Sequence, residues 1–575
     1  MDNKKELIEE MFEKGVLISE DFLNKEDNKQ LAEKIDVEED LMVLNSDYAE
    51  IISQQSSLVD WYEVDKYRVE AEKDRDDELY QSQLQGFKNS KLVIFNDKEN
   101  KEVQKEEEIK SLETELNDSN NSSKFSSEVE LSDEKEENLK QNSEIKVSLE
   151  ENKTDFENPI EIVFTYENNP SKYKLDDFTK IFRSRYRFLE NILRNRPELQ
   201  SILPISRILQ KKEKETVSLI GLVDEIRVTK NGHFIITLEE LTGKIKILVS
   251  KNNKDLFEKA KDLVVDEIIG VNGKLGDNII FAEKVVWPDL PSNREMKTSS
   301  TEEAAAFLSD LHFGSKQFLH KEFNRFLNWI KGDTGNETQR ALAKKVKYIF
   351  IAGDLVEGIG IYPSQREELE IDDIRVQYSE FTKLLKQIPV DKKIIICPGN
   401  HDVVHIAEPQ EVFYPDYAPD LMEMPNVIVV SNPGMVNIGK TKEFSGFDVL
   451  MYHGYSFDYY VSNVESIRNN GGYHRADLIM KFLLQRRHLA PSFKSTPYYP
   501  GFDEDPLLIK KIPDFFLTGH IHYSKVANYK GVTMICGSCW QDKTDFQEKL
   551  GHDPEPGRVP VVNLKTRDVK ILKFM

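Results

Sequence analysis

The feature that most constrains this chain is a series of five short polar motifs, each closing an apolar, strand-like run. They are Asp310-Leu311-His312 after AAAFLS, Gly353-Asp354 after VKYIFIA, and Gly399-Asn400-His401-Asp402 after KKIIICP. His453-Gly454 after FDVLMY and Gly519-His520-Ile521-His522 after PDFFLT complete the series. In layered α/β proteins, loops leaving the carboxyl ends of strands converge on one rim, where sites form. A lone histidine after a strand is usually a satisfied core residue, and a lone Gly-Asp is usually a turn. Five in succession, all at strand ends, need a common explanation. A mixed Asp, His and Asn donor set suits Mn²⁺, Fe²⁺ or Zn²⁺ better than Ca²⁺, which takes all-oxygen cages. The seven strongest ligand candidates are too many for one ion and match two ions sharing a carboxylate.

The set DxH, GD, GNHD, HG and GHxH resembles the calcineurin-like metallophosphoesterase superfamily over residues 304–540. The resemblance implies that Asp310, His312 and His522 hold one divalent ion. Asn400, His453 and His520 would hold the other, with Asp354 bridging the two. His401 corresponds to the superfamily's non-ligand histidine, which approaches the leaving oxygen, so His401 and Asp354 are the expected catalytic residues. Manganese is the first expectation for the metal, with iron or zinc as alternatives. Two such ions lower the pKa of a shared water and neutralise phosphoryl oxygens, so neither a covalent nucleophile nor a Ser-His-Asp arrangement is required.

The remaining sequence suggests a multidomain chain. Its 575 residues exceed one ordinary core. Residues 1–60 show helical periodicity, with Leu7, Ile8, Met11 and Phe12 on one face, and read as a small helical protein-interaction module. Residues 61–157 read as an acidic, mostly disordered tether. Residues 158–212 form a strand-helix connector, whose helix carries Lys180, Arg183, Arg185, Arg187, Arg194 and Arg196, read first as a solvated face. In 213–292, three strands, a helix and two more strands, with an Asn231-Gly232 hairpin signal, match an OB-fold β-barrel. Its Phe234, Phe257, Phe281 and Trp287 are expected mainly in its core. Residues 300–575 complete the plan as a two-layered α/β calcineurin-like phosphoesterase domain.

Charge does not exclude a polyanionic substrate. Residues 1–150 carry 42 Asp/Glu against 20 Lys/Arg, whereas the remaining residues carry 60 against 58, so the excess acid lies outside the motif region. Three cysteines argue against a disulfide framework, and no window approaches the ~20 apolar residues of a membrane span. The expectation is a soluble cytoplasmic protein with no membrane contact. Cys536 and Cys539 lack a second pair for zinc and are read as buried structural cysteines. Arg486, Arg487 and His488 form a basic knot, read as a solvated helix end or subunit contact, with contact to the DNA backbone as the alternative. His405 and His474 receive no role.

A narrower resemblance covers nearly the whole chain apart from the tether. LDDFTKIFRSRYRFLENILRNRPEL, EGIGIYPSQREELEIDDIRVQY at 357–378 and LLQRRHLAP at 483–491 are similar to the small subunits of archaeal D-family DNA polymerases. That resemblance implies 3′→5′ proofreading exonuclease activity within a replicative polymerase. The implied partners are a separate large catalytic subunit and DNA with a single-stranded or frayed 3′ end. Cleavage direction and the choice of DNA rest on the resemblance alone. A double-strand-break repair nuclease and a non-catalytic scaffold subunit are the alternatives.

Overall fold

The computed structural model describes residues 160–167, 172–549 and 553–575, together with two short parallel strands, Val16–Ile18 (β1) and Met42–Leu44 (β2). The helical face expected near residues 7–12 and the tether at 61–157 lie outside the described residues. The chain divides into two units, Met1–Val147 and Ser148–Met575. The five motifs all fall in the second. Among the described residues no helix is long and apolar enough to cross a membrane.

A strand, Glu161–Phe164 (β3), and a helix, Leu175–Arg194, precede a closed barrel. The barrel strands are Thr216–Val228 (β4), Phe234–Glu240 (β5), Gly243–Val249 (β6), Ile268–Leu275 (β7) and Ile279–Val286 (β8). They close in the order β4-β5-β6-β8-β7, with helix Lys254–Ala260 between β6 and β7. Alternate residues fill the interior: Val217 and Leu219, Ile236 and Leu238, Ile245 and Ile247. The OB-fold expectation holds. Phe281 departs from it, because it stands on the outer side of β8 and is 48% exposed, whereas Phe234 and Phe257 pack on each other at 4.8 Å.

The motif region contributes Ala304–Leu308 (β9), Val346–Ala352 (β10), Lys393–Cys397 (β11), Val427–Val429 (β12), Gly434–Ile438 (β13) and Phe447–Met451 (β14). Phe515–Thr518 (β15), Lys525–Tyr529 (β16), Val532–Cys536 (β17), Arg558–Asn563 (β18) and Val569–Lys573 (β19) complete it. Two six-stranded sheets result, β12-β11-β10-β9-β18-β19 and β16-β17-β15-β14-β13-β3. β9 to β12 are parallel, as are β14, β15 and β17.

Side chains alternate between two cores. Phe307, Phe350, Ile395, Val449 and Phe515 point between the sheets. Leu308, Ile349 and Ile394 point outward, toward helices His320–Lys331 and Ile374–Leu385. Leu450, Phe516 and Met534 face helices Phe457–Asn463 and Ala476–Arg486 on the other side. Helix His320–Lys331 shows why such layers form: Phe323, Phe326, Leu327 and Ile330 recur at helical spacing on its buried face.

The solvated reading of the basic residues holds for Lys180, Arg183, Arg187 and Arg194, which are exposed, but fails for Arg185. That side chain is buried, with Nε 2.6 Å from Asp505 Oδ2, Nη2 donating to the Tyr498 hydroxyl at 2.7 Å and Nη1 donating to the Pro491 carbonyl at 3.0 Å. Arg486, Arg487 and His488 are buried too, which corrects the reading of that knot as an open surface. His488 joins Asp505 at 2.9 Å. Arg486 crosses to the barrel, 2.9 Å from Glu267, and donates to the Asp262 carbonyl at 2.7 Å.

Removing one partner of such a pair leaves an uncompensated buried charge. Arg185→Met should therefore destabilise the full chain by about 3–5 kcal/mol in urea unfolding, and Arg185→Met/Asp505→Leu should recover much of that loss. An unchanged unfolding midpoint in the single variant would refute the structural role given to Arg185.

Candidate metal centre

The five motifs meet at one rim. Asp310 and His312 follow β9, Asp354 follows β10, Asn400 and His401 follow β11, His453 follows β14, and His520 and His522 follow β15. Asp310, Asp354, His312 and His453 are almost completely buried. Asp310, His312, Asp354, His520 and His522 all adopt left-handed backbone conformations, with φ between 50° and 71°. They are five of fourteen such non-glycine residues among those described, and strain of this kind gathers where a fold over-determines a site. The motif glycines permit the crowding. A Cβ on Gly399 would lie 2.2 Å from Asp354 Oδ1, and one on Gly519 would lie 2.4 Å from Asp310 Oδ2.

Asp310, His312 and His522 can each bring a ligand atom within 4.8 Å of the others. His312 Nε2 and His522 Nε2 are 2.9 Å apart, with Asp310 Oδ1 3.6 Å from the latter. Asp310, Asp354 and His453 form a neighbouring group, and His312, Asp354 and His401 a third. His453 Nε2 lies 3.2 Å from Asp354 Oδ2 and 3.1 Å from Asn400 Oδ1. His520 is placed differently from the other histidines. Its backbone N–H donates to both Asp310 oxygens at 2.9 and 3.0 Å, its Nε2 faces Asp458 at 3.1 Å, and its ring centroid is 5.2 Å from that of His453.

The donor set fits divalent metal. His453 Nδ1 donates to the Ala352 carbonyl at 2.8 Å, and His312 Nδ1 lies 3.0 Å from Glu357 Oε2. The His453 ring thus has Nδ1 engaged, the His312 ring carries Nδ1 beside a carboxylate, and both turn Nε2, which carries the lone pair of the neutral ring, toward the cluster. Two imidazole nitrogens in close contact beside buried carboxylates are what a shared cation would reconcile.

Electrostatics point the same way. Burial favours neutral His453, but Asp354 and Asp310 outweigh it and raise the ring to about 10. Burial is likewise outweighed at His312, where Glu357, Asp354 and Asp310 raise the ring to about 9. Asp354 is held well below the ordinary carboxylate range, because His453, His401 and His312 overcome its burial. Burial raises Asp310, and burial together with the neighbouring His312 pushes His522 well down.

Residues 305–526 match the B-subunit family of DNA polymerases alpha and epsilon, and residues 217–283 match the OB-fold nucleic acid binding domain. A DNA polymerase II small subunit from Methanothermobacter thermautotrophicus is 40% identical over 401 residues, spanning 70% of this chain and 80% of that protein. This chain belongs to the DNA polymerase II small-subunit family. The Archaeoglobus fulgidus protein of that name is 39% identical, with 67% of this chain and 75% of that one covered. The Pyrococcus furiosus protein is 36% identical; the match spans 70% of this chain but only 64% of that longer relative.

Several residues at the rim of this family member were not legible from spacing. Glu357 is completely buried against His312 and receives hydrogen bonds from Tyr362 Oη at 2.8 Å and Gln541 Nε2 at 2.8 Å. Its only sequence signal was its place just after Gly353-Asp354, in a loop where several acids look equivalent. Asp402, the last residue of GNHD, accepts from the backbone N–H groups of Gly399 at 2.9 Å and Leu355 at 3.2 Å, stapling two motif loops together. Asn432 Oδ1 accepts the His453 N–H at 2.8 Å. Asp458 beside His520 and Gln547 beside His522 also escaped the motif reading. Cys536 and Cys539 are buried as expected, with burial raising both thiols, Cys536 to about 12.

Metal should compete with the protons on His312 and His453. Both rings titrate above neutrality in the metal-free site, so Mn²⁺ binding should release protons at pH 7 and tighten as pH rises toward about 9 and 10. Calorimetry in buffers of different ionisation enthalpy checks this, and a pH-independent affinity with no proton release would contradict it. Glu357→Ala should weaken metal binding by about 10–100-fold by freeing the His312 ring; an unaltered isotherm would remove Glu357 from the site.

Proposed function

We propose that the chain is the small subunit of a replicative archaeal DNA polymerase and carries its 3′→5′ proofreading exonuclease in a calcineurin-like phosphoesterase domain. It would act beside a large polymerising subunit, on DNA with a single-stranded or frayed 3′ end. The observation that carries this reading is the buried cluster of Asp310, His312, Asp354, His453 and His522, with half-buried Asn400 and His520 beside it, on one rim of a polymerase-subunit family member. An acid and imidazole cluster of this density, assembled from five strand ends, supports a working site over a purely structural one.

Asp310, His312 and His522 would hold one divalent ion and Asn400, His453 and His520 a second, with Asp354 between them. Two such ions supply Lewis acidity toward a phosphodiester and make water acidic enough to attack near neutral pH. The remaining work belongs to the chain. The His401 backbone N–H donates to Asp354 Oδ1 at 2.8 Å and fixes that carboxylate. His401 Nδ1 donates to the Glu357 carbonyl at 2.7 Å, so the ring orientation is set and Nε2 is free to serve the leaving oxygen. Burial lowers the His401 pKa, which makes the protonated ring a stronger acid toward that oxygen.

The decisive measurement is Mn²⁺-dependent degradation of 3′-end-labelled and 5′-end-labelled single strands by the chain, with and without its large subunit. Stepwise loss from the 3′ end is expected. His401→Ala should slow it by about 100-fold, and Asp354→Asn should abolish it while assembly with the large subunit survives. No degradation in either state would refute the nuclease reading.

A further inference from the structure

The charged cleft has an apolar lip. In the turn that leaves the Gly353-Asp354 motif, Gly358 and Gly360 have φ of +77° and +78° and set Ile359 and Ile361 toward solvent, 46% and 39% exposed. Ile361 lines the same cleft as His401, Asn400 and His520, with Tyr362 and Tyr455 beside it.

The turn is held rather than loose. Gln377, completely buried, accepts from the Gly358 N–H at 3.0 Å and donates to the Gly358 carbonyl at 3.3 Å. Gln365, also buried, accepts from the Ile361 N–H at 2.9 Å and donates to the Glu357 carbonyl at 2.9 Å. That carbonyl is the one His401 Nδ1 reaches. A Cβ at Gly358 would lie 2.4 Å from the His401 carbonyl oxygen, so the turn is seated directly on the histidine that serves the leaving group.

Ile361 at the mouth of an ionic cleft, with Ile359 two residues before it on the same held turn, keeps a stiff β-branched side chain in water and forgoes burial that the fold could have used. Apolar groups grouped at a polar cleft mark contact with a ligand. The ligand must join a phosphodiester to a flat apolar face within a few bonds, and a nucleobase is that group. To bring its phosphate to a buried cluster, a terminal nucleotide must leave the duplex stack, at a cost of a few kcal/mol per base. An apolar surface at the mouth offsets that cost.

We propose that Ile359 and Ile361 form a stacking lip for the terminal nucleobase, so that the cleft selects unpaired strand ends. The proposal rests on the phosphodiesterase reading above and deepens it by naming what recognises the base.

The test uses the full chain with its large subunit and two single strands, one ending in a normal 3′ nucleotide and one in an abasic 3′ residue. Wild type should cleave the base-bearing end with KM lower by about tenfold, the scale of burying one aliphatic side chain against the base. Ile359→Ser/Ile361→Ser should raise that KM to the abasic value and so erase the difference between the two ends, whereas Ile361→Leu should retain the preference. Equal KM for both ends in wild type, or equal loss on both ends in the variant, would overturn the lip. A terminal 2-aminopurine provides a readout independent of cleavage: wild type should raise its fluorescence on binding, as the base leaves its stacked neighbour for an aliphatic surface, and the double variant should not. Cleavage absent but a lip-dependent fluorescence rise would sink the nuclease reading alone; an identical change in both proteins would sink the lip.

Discussion

Asp354 is a carboxylate without access to water, and the arrangement of the rim follows from the need to compensate it. A buried charge left alone costs several kcal/mol, and the partners of this one come from separate strands. His401 after β11 supplies a backbone N–H to Oδ1, and His453 after β14, in the opposite sheet, approaches Oδ2 at 3.2 Å. The two sheets must therefore stay in fixed relation. Phe307 stacked on Phe350 at 5.2 Å, with Phe515 of the second sheet 5.8 Å from Phe307, is the packing that holds them there. Asp402 does the same at shorter range, by tying the loop after β10 to the loop after β11.

The parts of this fold that were readable in advance are those whose environment leaves a local trace. β9, β10 and β11 are covered on both faces, so they appear as unbroken apolar runs, and their polar endings stand out against them. β18 carries Pro560, which argues against a strand locally, yet it pairs with β9 on one side and β19 on the other. β3 was visible as a strand, but nothing nearby indicated that it would close the sheet beside β13, across the whole barrel insertion. The candidate ligand residues stood out through their strand-end motifs. Glu357 did not, since its partner His312 is remote in sequence, and Arg185 was indistinguishable from its solvated neighbours until Asp505 stood opposite it.

Buried ion pairs also explain how a barrel and a double sheet behave as one unit. Arg486 at the end of helix Ala476–Arg486 lies over the Trp287 ring at 5.1 Å while reaching Glu267, and Trp287 Nε1 donates to the same carboxylate at 2.9 Å. Asp289, just after the barrel, meets Lys530 at 2.6 Å and the Tyr529 hydroxyl at 2.9 Å. These contacts are directional, unlike apolar burial, so they specify one angle between the two domains. Cations that looked available for a polyanion are spent on that joint, while Lys180, Arg183 and Arg187 remain in solvent.

Backbone strain gathers at the rim. A left-handed backbone costs a non-glycine residue of order 1–3 kcal/mol, and five of the seven candidate ligands adopt it. A subunit that only supported its partner could relax that strain with glycine or asparagine at those positions and lose nothing from its sheets, whose cores lie elsewhere. Here the strained residues are aspartate and histidine, crowded until two imidazole nitrogens stand 2.9 Å apart. The surrounding groups sustain the crowding: Gly399 and Gly519 leave room for it, Asp402 staples it, and Glu357 and the Ala352 carbonyl fix the ring orientations. Geometry that is costly and supported from several sides brings together groups that could hold a metal ion.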